Sequence, residues 1–418
     1  MRVDIPDWDD WMPEHGFLNR YLEYTKNHEG PAVFQFWTGL TVLSAVIGRR
    51  YGVSKGFYNV YPNLYTLLIA PTGKCRKTTT SKIGVSLLDD LSVRKMSTKF
   101  SPEDLIHRLC FREEDGEVIP ETEALIYAPE LTVLLNKTRY TEGMVDLLTD
   151  LADAPDYWAY STRTGGKVEL RNVCLVLFGC SNSEWLGDAI PQRAFGGGFL
   201  ARIVFVVQST SRRFFAIPKA QDPAIRAELV AFLAKVRQHE GTFTFSEEGL
   251  AWYEEWYRLN RDVGGDLRLN GYYERKPDHL LRVAMLLAIS EEAPPILTPA
   301  LLERASLTLD AIEPSMSGAL KEINISSSGR DSNRVFNLVN GANDKLSYEE
   351  IVGEMMAYMN QRAIDEALKA LVMSQRIDEY ITPIGRKYSK RNAENGMSNG
   401  LGSLLWEHDD TIDHREED

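Results

Sequence analysis

The chain has 418 residues, 44% of them hydrophobic and 26% charged, with a formal net charge of −13. That length predicts two to four domains with sizeable cores, and the acidic balance argues against a protein that coats nucleic acid through a global positive field. No apolar run reaches the ~18 residues of a membrane span, and Cys75, Cys110, Cys174 and Cys180 form no C-x-x-C pair, so they read as reduced thiols of a cytoplasmic protein rather than a disulfide frame or zinc site.

Residues 1–56 predict a helical N-terminal segment, with helices over 17–26 and 32–50 punctuated by Gly30-Pro31. Trp8, Trp11, Phe34, Phe36 and Trp37 are its aromatic core anchors. Residues 57–210 alternate apolar runs with helical patterns, the signature of a parallel α/β sheet. Strands are expected at 64–70, 93–100, 124–128, 173–179 and 200–207, with helices at 79–91, 104–112 and 143–151. Residues 211–330 predict a helical domain, with helices over 223–240, 247–260, 279–290 and 299–320 and a polar linker at 325–332. Residues 331–391 predict a winged helix: helices at 334–340, 347–358 and 362–374, then two short strands around Pro383-Ile-Gly385. Residues 392–418 are expected to form a disordered acidic tail; its last thirteen residues carry net −6, leaving −7 on the rest of the chain.

The first strand runs into Pro71-Thr-Gly-Lys-Cys-Arg-Lys-Thr78 and then a helix. Strand, turn, Lys-Thr, helix is the layout of a phosphate-binding loop. Backbone N–H groups and a helix N-terminus face the phosphates, Lys77 reaches the β/γ-phosphates, and the Thr78 hydroxyl holds Mg²⁺. Gly73, Lys74, Cys75, Arg76 and Thr79 complete the candidate nucleotide loop. The strict pattern fails, because Pro71 and Arg76 stand where the two glycines belong and Gly73 is off register. An ordinary strand-to-helix turn with a solvated basic cluster is the alternative.

Other candidates lie at strand ends. Glu130 follows the third strand, where nucleotide hydrolases keep the acid that polarises water, but it also opens a helix and can serve as its cap. Pro129 before it cannot bind metal. Asn182 ends the fourth strand, placed to sense the γ-phosphate or to occupy a turn. Arg202 follows Phe195-Gly-Gly-Gly-Phe-Leu-Ala inside an apolar strand, so it needs a partner: an arginine finger and a structural ion pair both fit. Arg193 is a further basic neighbour. Arg282 in the buried-looking 279–290 run reaches the nucleotide from a helical lid or pairs with Asp278 or Glu274. Arg163 and Lys167 flank Gly165-Gly166 as a nucleic-acid pore loop or a plain hairpin turn. Arg386 and Lys387 lie on the wing, as DNA contacts or as part of a protein-docking module.

Taken in order, Ile47-Gly-Arg-Arg50, the loop with Arg76-Lys77, Ala128-Pro129-Glu130, the 160–171 stretch, Asn182 and Gly197-Gly-Phe-Leu-Ala-Arg202 resemble the RecA-fold P-loop ATPases of phages and mobile elements. Many of those stand beside primases as domains of unknown function and are related to ring-shaped replicative helicases. The resemblance covers roughly residues 30–310. It implies ATP and Mg²⁺, a homo-oligomeric ring (a hexamer favoured), single- or double-stranded DNA, a primase-like replication partner and no membrane. It also implies Lys77 and Thr78 as the loop pair, Glu130 as catalytic acid, Asn182 as sensor and Arg202 as finger. The function expected is an ATP-driven nucleic-acid motor. The alternative is an ATP-bound switch or winged-helix DNA-binding regulator with little hydrolysis, which the irregular loop favours. A small-molecule kinase needs neither the helical addition nor the winged helix.

Overall fold

The computed structural model describes residues 13–96, 98–110, 112–114, 117–119, 122–135, 143–162, 166–183, 186, 198–260, 269–323, 327–383 and 385–391. Trp8, Trp11, Arg163, Arg193 and the 392–418 tail lie outside these. The chain divides into two compact units, Met1–Asn324 and Ile325–Asp418.

The first unit is built on a five-stranded sheet: β1 (Tyr65–Ile69), β2 (Lys95–Met96), β3 (Glu123–Ala128), β4 (Cys174–Ser181) and β5 (Ile203–Val207). The order is β5-β1-β4-β3-β2, and every pairing is parallel. Parallel strands covered on both faces need apolar side chains throughout rather than alternation. All five residues of β1 and all eight of β4 are accordingly buried. The register sets Ile69 beside both Ser181 and Val207, and Ala128 beside Gly179. The strands therefore end together, and the residues that follow them share one edge.

The helix Ala32–Ile47 is hydrophobic on nearly all sides and buries every residue but Ala45, as a helix sandwiched inside a core does. Its buried polar residues hold the neighbouring chain. Ser44 Oγ donates to the Pro62 carbonyl at 2.7 Å and accepts from the Leu64 N–H at 3.0 Å. Thr41 Oγ1 donates to Thr66 Oγ1 at 2.8 Å. These bonds fix where β1 begins, and so where the loop after it emerges. Gly30 keeps the preceding turn close: a Cβ there would stand 2.2 Å from Thr80 Oγ1.

Several expectations are corrected. The second strand shrinks to two described residues. The fifth begins at Ile203, because Leu200–Arg202 forms a 3₁₀ turn. The helix expected over 299–320 is two, Pro299–Asp310 and Glu313–Ile323, and the 279–290 helix starts earlier, at Asn270, with Pro277 inside it. Four short strands form a second sheet that the sequence reading missed: Ile296–Leu297, Gly241–Phe245, Tyr51–Ser54 and Asn59–Val60, in that order. Two hairpins, Arg112–Glu114 with Glu117–Ile119 and Tyr157–Thr162 with Gly166–Arg171, leave the main sheet.

The described residues of the second unit form the helices Ser327–Gly341, Tyr348–Met355 and Gln361–Met373 and a three-stranded antiparallel sheet of Leu346–Ser347, Gly385–Lys390 and Ile377–Thr382. Its own core includes Val335, Ile351, Ile364, Leu368, Leu371 and Tyr388. Ser347 and Glu350 form a reciprocal capping box, and Asn360 caps the third helix on the Ala363 N–H at 2.9 Å. The 327–332 portion of the expected linker is helical.

Candidate nucleotide site

Residues 70–76 connect β1 to the helix Lys77–Val85. Gly73 has φ 74°, Cys75 58° and Arg76 46°, so the left-handed turn that glycines usually supply is made here largely by non-glycine residues. Arg76 is the residue before the helix, and its side chain makes no cap bond to the helix N–H groups. Its Nε instead donates to Glu29 Oε2 at 2.7 Å. Thr78 and Thr79 are exposed in the first helical turn, which contains no acidic residue. A helix start with unanswered N–H groups and no acid attracts anions.

Lys77 is half-buried, and its Nζ donates to the carbonyls of Ala70 at 2.7 Å and Pro71 at 3.2 Å. Burial holds its ammonium below the usual lysine range, with the negative charge of Glu130 acting the other way. Glu130 follows β3 at the same end of the sheet as the loop. Its Oε1 accepts from the Thr132 hydroxyl at 2.9 Å, and its carbonyl accepts from the Val133 N–H at 3.2 Å. It stands just before the helix Leu131–Leu135, with its carbonyl and carboxylate both answered by that helix. Asn182 Nδ2 donates to Thr72 Oγ1 at 3.0 Å, tying the end of β4 to the loop.

Behind the loop, Ser81 hydrogen-bonds Tyr127 at 2.9 Å, and the Cys180 thiol donates to Ser81 Oγ at 3.5 Å. Burial pushes both the Tyr127 phenol and the Cys180 thiol up to about 12. These groups stay neutral and join the helix to β3 and β4. The sequence reading did not include Ser81 or Tyr127. Ser81 lies four residues after Lys77, one turn on along the helix, and that spacing was the available signal.

Lys77, Thr78, Glu130 and Asn182 thus share the C-terminal edge of the parallel sheet, the edge where open α/β sheets bind ligands. Arg202 does not. It precedes β5, so the five residues of that strand at about 3.3 Å each place it roughly 16 Å away, at the opposite edge. It also has a partner within the chain. Arg202 Nη2 donates to Asp153 Oδ2 at 2.6 Å and Nη1 to the Gly198 carbonyl at 2.9 Å. Asp153 also receives Arg275 Nη1 at 3.0 Å, with Arg282 Nη2 at 3.9 Å. Burial would raise the Asp153 carboxyl, but the Arg202 hydrogen bond and the three cations overcome it and hold it below the usual range. Arg282 has Asp153 as its ion pair, and the charge of Asp278, one of its two expected partners, also favours it. His279 Nε2 lies 3.0 Å from the Ala201 carbonyl, next to Arg202.

Lys167 is exposed on a hairpin strand and paired with Glu169. Arg386 pairs with Glu379 at 3.5 Å, and Lys387 stands opposite Tyr380 in the antiparallel ladder.

A nucleotide's phosphates fit the loop edge: Lys77, exposed Thr78 and the uncapped helix start converge there. A protein cage for Mg²⁺ does not form, since among the described residues no group of three His, Cys, Asp or Glu side chains could hold a metal. Mg²⁺ bound by the phosphates themselves and one protein hydroxyl suits the donors present. Among the described residues no helix is long and apolar enough to cross a membrane.

No family model and no curated protein matches the sequence. Among solved structures, the crystal structure of a full-length MCM homolog from Methanopyrus kandleri superposes with a TM-score of 0.43 at 16% identity, over 71% of this chain and 59% of that one. The chain therefore spans less than two thirds of that protein's length, and the overlap is too loose to assign fold or function.

Proposed function

We propose that this chain is an ATP-hydrolysing motor on nucleic acid, a RecA-like P-loop ATPase of the phage and mobile-element class, acting as a ring-shaped replicative DNA helicase or translocase. The observation that carries the proposal is the shared edge. A parallel sheet ends with Lys77, Thr78, Glu130 and Asn182 around one uncapped helix start. That set matches phosphoryl transfer, where catalysis is positioning plus charge stabilisation.

In this reading Lys77 exchanges the Ala70 and Pro71 carbonyls for β- and γ-phosphate oxygens. Thr78 would hold Mg²⁺ through its hydroxyl, and the ion would supply charge neutralisation on the phosphates. Glu130 orients the attacking water and takes up its proton. Asn182, already bonded to the loop through Thr72, senses the γ-phosphate. Arg202 cannot serve its own loop from the opposite edge, so it serves the loop of the next copy, and the site is built from two chains. Asp153 then holds the finger in place until that neighbour's phosphate arrives. The 157–171 hairpin, with Lys167 on its second strand, faces DNA in the pore, and Arg163 is a further candidate contact. The second unit is a winged helix, whose Arg386 and Lys387 contact DNA phosphate, and a primase is the replication partner that fits.

The test is nucleotide binding and turnover by the wild-type chain and Lys77→Ala. The expected result is ATP binding and DNA-stimulated hydrolysis that Lys77→Ala abolishes without loss of fold. Equal turnover in both proteins overturns the assignment of the loop.

A further inference from the structure

We infer that Glu29 is a positioning residue of the phosphate loop, a side-chain anchor that does the work of the missing loop glycine at Arg76. The local geometry stands without any assumption about ligand; the effect on nucleotide affinity rests on the ATPase reading above.

Two adjacent non-glycine residues, Cys75 and Arg76, hold left-handed backbone conformations, Arg76 at φ 46° and ψ 36°. That region is disfavoured for any residue with a Cβ, and such strain persists only where surrounding contacts impose it. Both residues have such contacts. The Cys75 side chain is buried, and its thiol donates to the Gln208 carbonyl at 3.7 Å. The Arg76 side chain is largely exposed, but its Nε is fixed on Glu29 Oε2 at 2.7 Å.

Glu29 is itself held at several points. Its Oε1 accepts the Phe215 N–H at 3.2 Å, and its backbone carbonyl accepts the Ser211 hydroxyl. The adjacent Gly30 lies against Thr80 in the helix that follows the loop. One carboxylate therefore links the turn before the helix Ala32–Ile47, the loop residue Arg76, and the segment that leaves β5. Arg76 and the Phe215 N–H hold that carboxyl below its usual range. It stays charged at neutral pH.

This arrangement has a specific signature. A glycine at position 76 needs no anchor, because its left-handed conformation is not penalised. Removing Glu29 should therefore matter when residue 76 is arginine and not when it is glycine. A residue that merely braced the N-terminal turn would matter equally in both backgrounds.

The experiment is a cycle of wild type, Glu29→Ala, Arg76→Gly and the double variant, read in two ways. Amide exchange over residues 72–79 in the nucleotide-free protein is expected to speed up in Glu29→Ala. KM for ATP is expected to rise roughly fivefold, the scale of a part-exposed ion pair, with kcat unchanged. The double variant is expected to match Arg76→Gly within about twofold in both readouts, since pairs that act together are non-additive. Unchanged exchange in Glu29→Ala overturns the inference, and so does a full additional loss in the double variant. Absence of ATP binding by the wild-type chain would refute the ATPase reading alone, and the exchange arm would then decide the anchor.

Discussion

Glu130 shows how one residue serves two purposes. Its carbonyl and carboxylate are taken up by the short helix that follows it, and under the proposed function the same carboxylate orients the attacking water. Glu130→Gln keeps the hydrogen bond from Thr132 and removes the base. Nucleotide affinity is therefore expected to persist while turnover falls about 10²–10⁴-fold, as measured by nucleotide titration and steady-state ATPase on one preparation. Turnover at the wild-type rate would reduce Glu130 to a cap. His279 offers a test by pH. Burial lowers its pKa to about 4, with the Arg282 charge adding to the effect. The ordinary unfolded value is about 6.5, so between the two the unfolded chain binds the proton and the folded chain does not. Stability contributed by neutral His279 is complete above pH ~6.5 and is lost as pH falls toward 4, up to roughly 3 kcal/mol. Melting curves of wild type and His279→Gln across that range should converge as the pH drops; parallel curves would show that His279 titrates normally. The positions of Lys77, Glu130 and Asn182 at one end of the sheet were legible because each follows an apolar strand, and strand ends are visible in sequence. Arg202 was only half legible. Its need for a partner followed from its apolar surroundings, but Asp153 lies 49 positions away and no local pattern pairs them. Its 3₁₀ setting was hidden too, because Gly198, at φ 81°, folds its carbonyl back onto the arginine.

Long elements with one dominant period were readable, and short ones were not. Strands β1, β3 and β4 and the helix Glu247–Asn260 lie close to their expected bounds. Asp222 caps the helix Pro223–Arg237 on the Ala224 N–H, as its place before proline suggested. The strands Asn59–Val60 and Ile296–Leu297 have two residues each, too few for any alternation to register, and pairing with distant chain alone makes them strands. The hydrophobic 32–47 run was plain, but its polar stitching was not. Ser44 joins that helix to the chain entering β1, and removing its hydroxyl leaves the Pro62 carbonyl and the Leu64 N–H without it in a buried setting. Ser44→Ala is expected to cost about 1–3 kcal/mol by denaturant titration, and to loosen nucleotide binding because β1 carries the loop. No change in stability would mean that water or a neighbour replaces the hydroxyl.

At the scale of the molecule, the two edges of the sheet divide the chemistry. Lys77, Glu130 and Asn182 stand at one, and Arg202 with Arg275 and Arg282 around Asp153 at the other. A heterologous, head-to-tail interface between copies brings unlike edges together and closes into a ring when the rotation permits. Under the proposed function, neither edge alone hydrolyses ATP, and the number of copies follows from an angle that one chain does not encode. The most direct measurement mixes Lys77→Ala with Arg202→Ala chains, each inactive alone, after a labelled pull-down has confirmed that they co-assemble. Some neighbouring pairs in the mixture combine an intact Lys77 with an intact Arg202, so ATPase activity is expected to return, well above the sum of the parents, given that a finger supplied in trans is worth on the order of 10³–10⁵ in rate. Mixed assemblies that form and stay as inactive as their parents would contradict the shared site and confine Arg202 to its ion pair with Asp153.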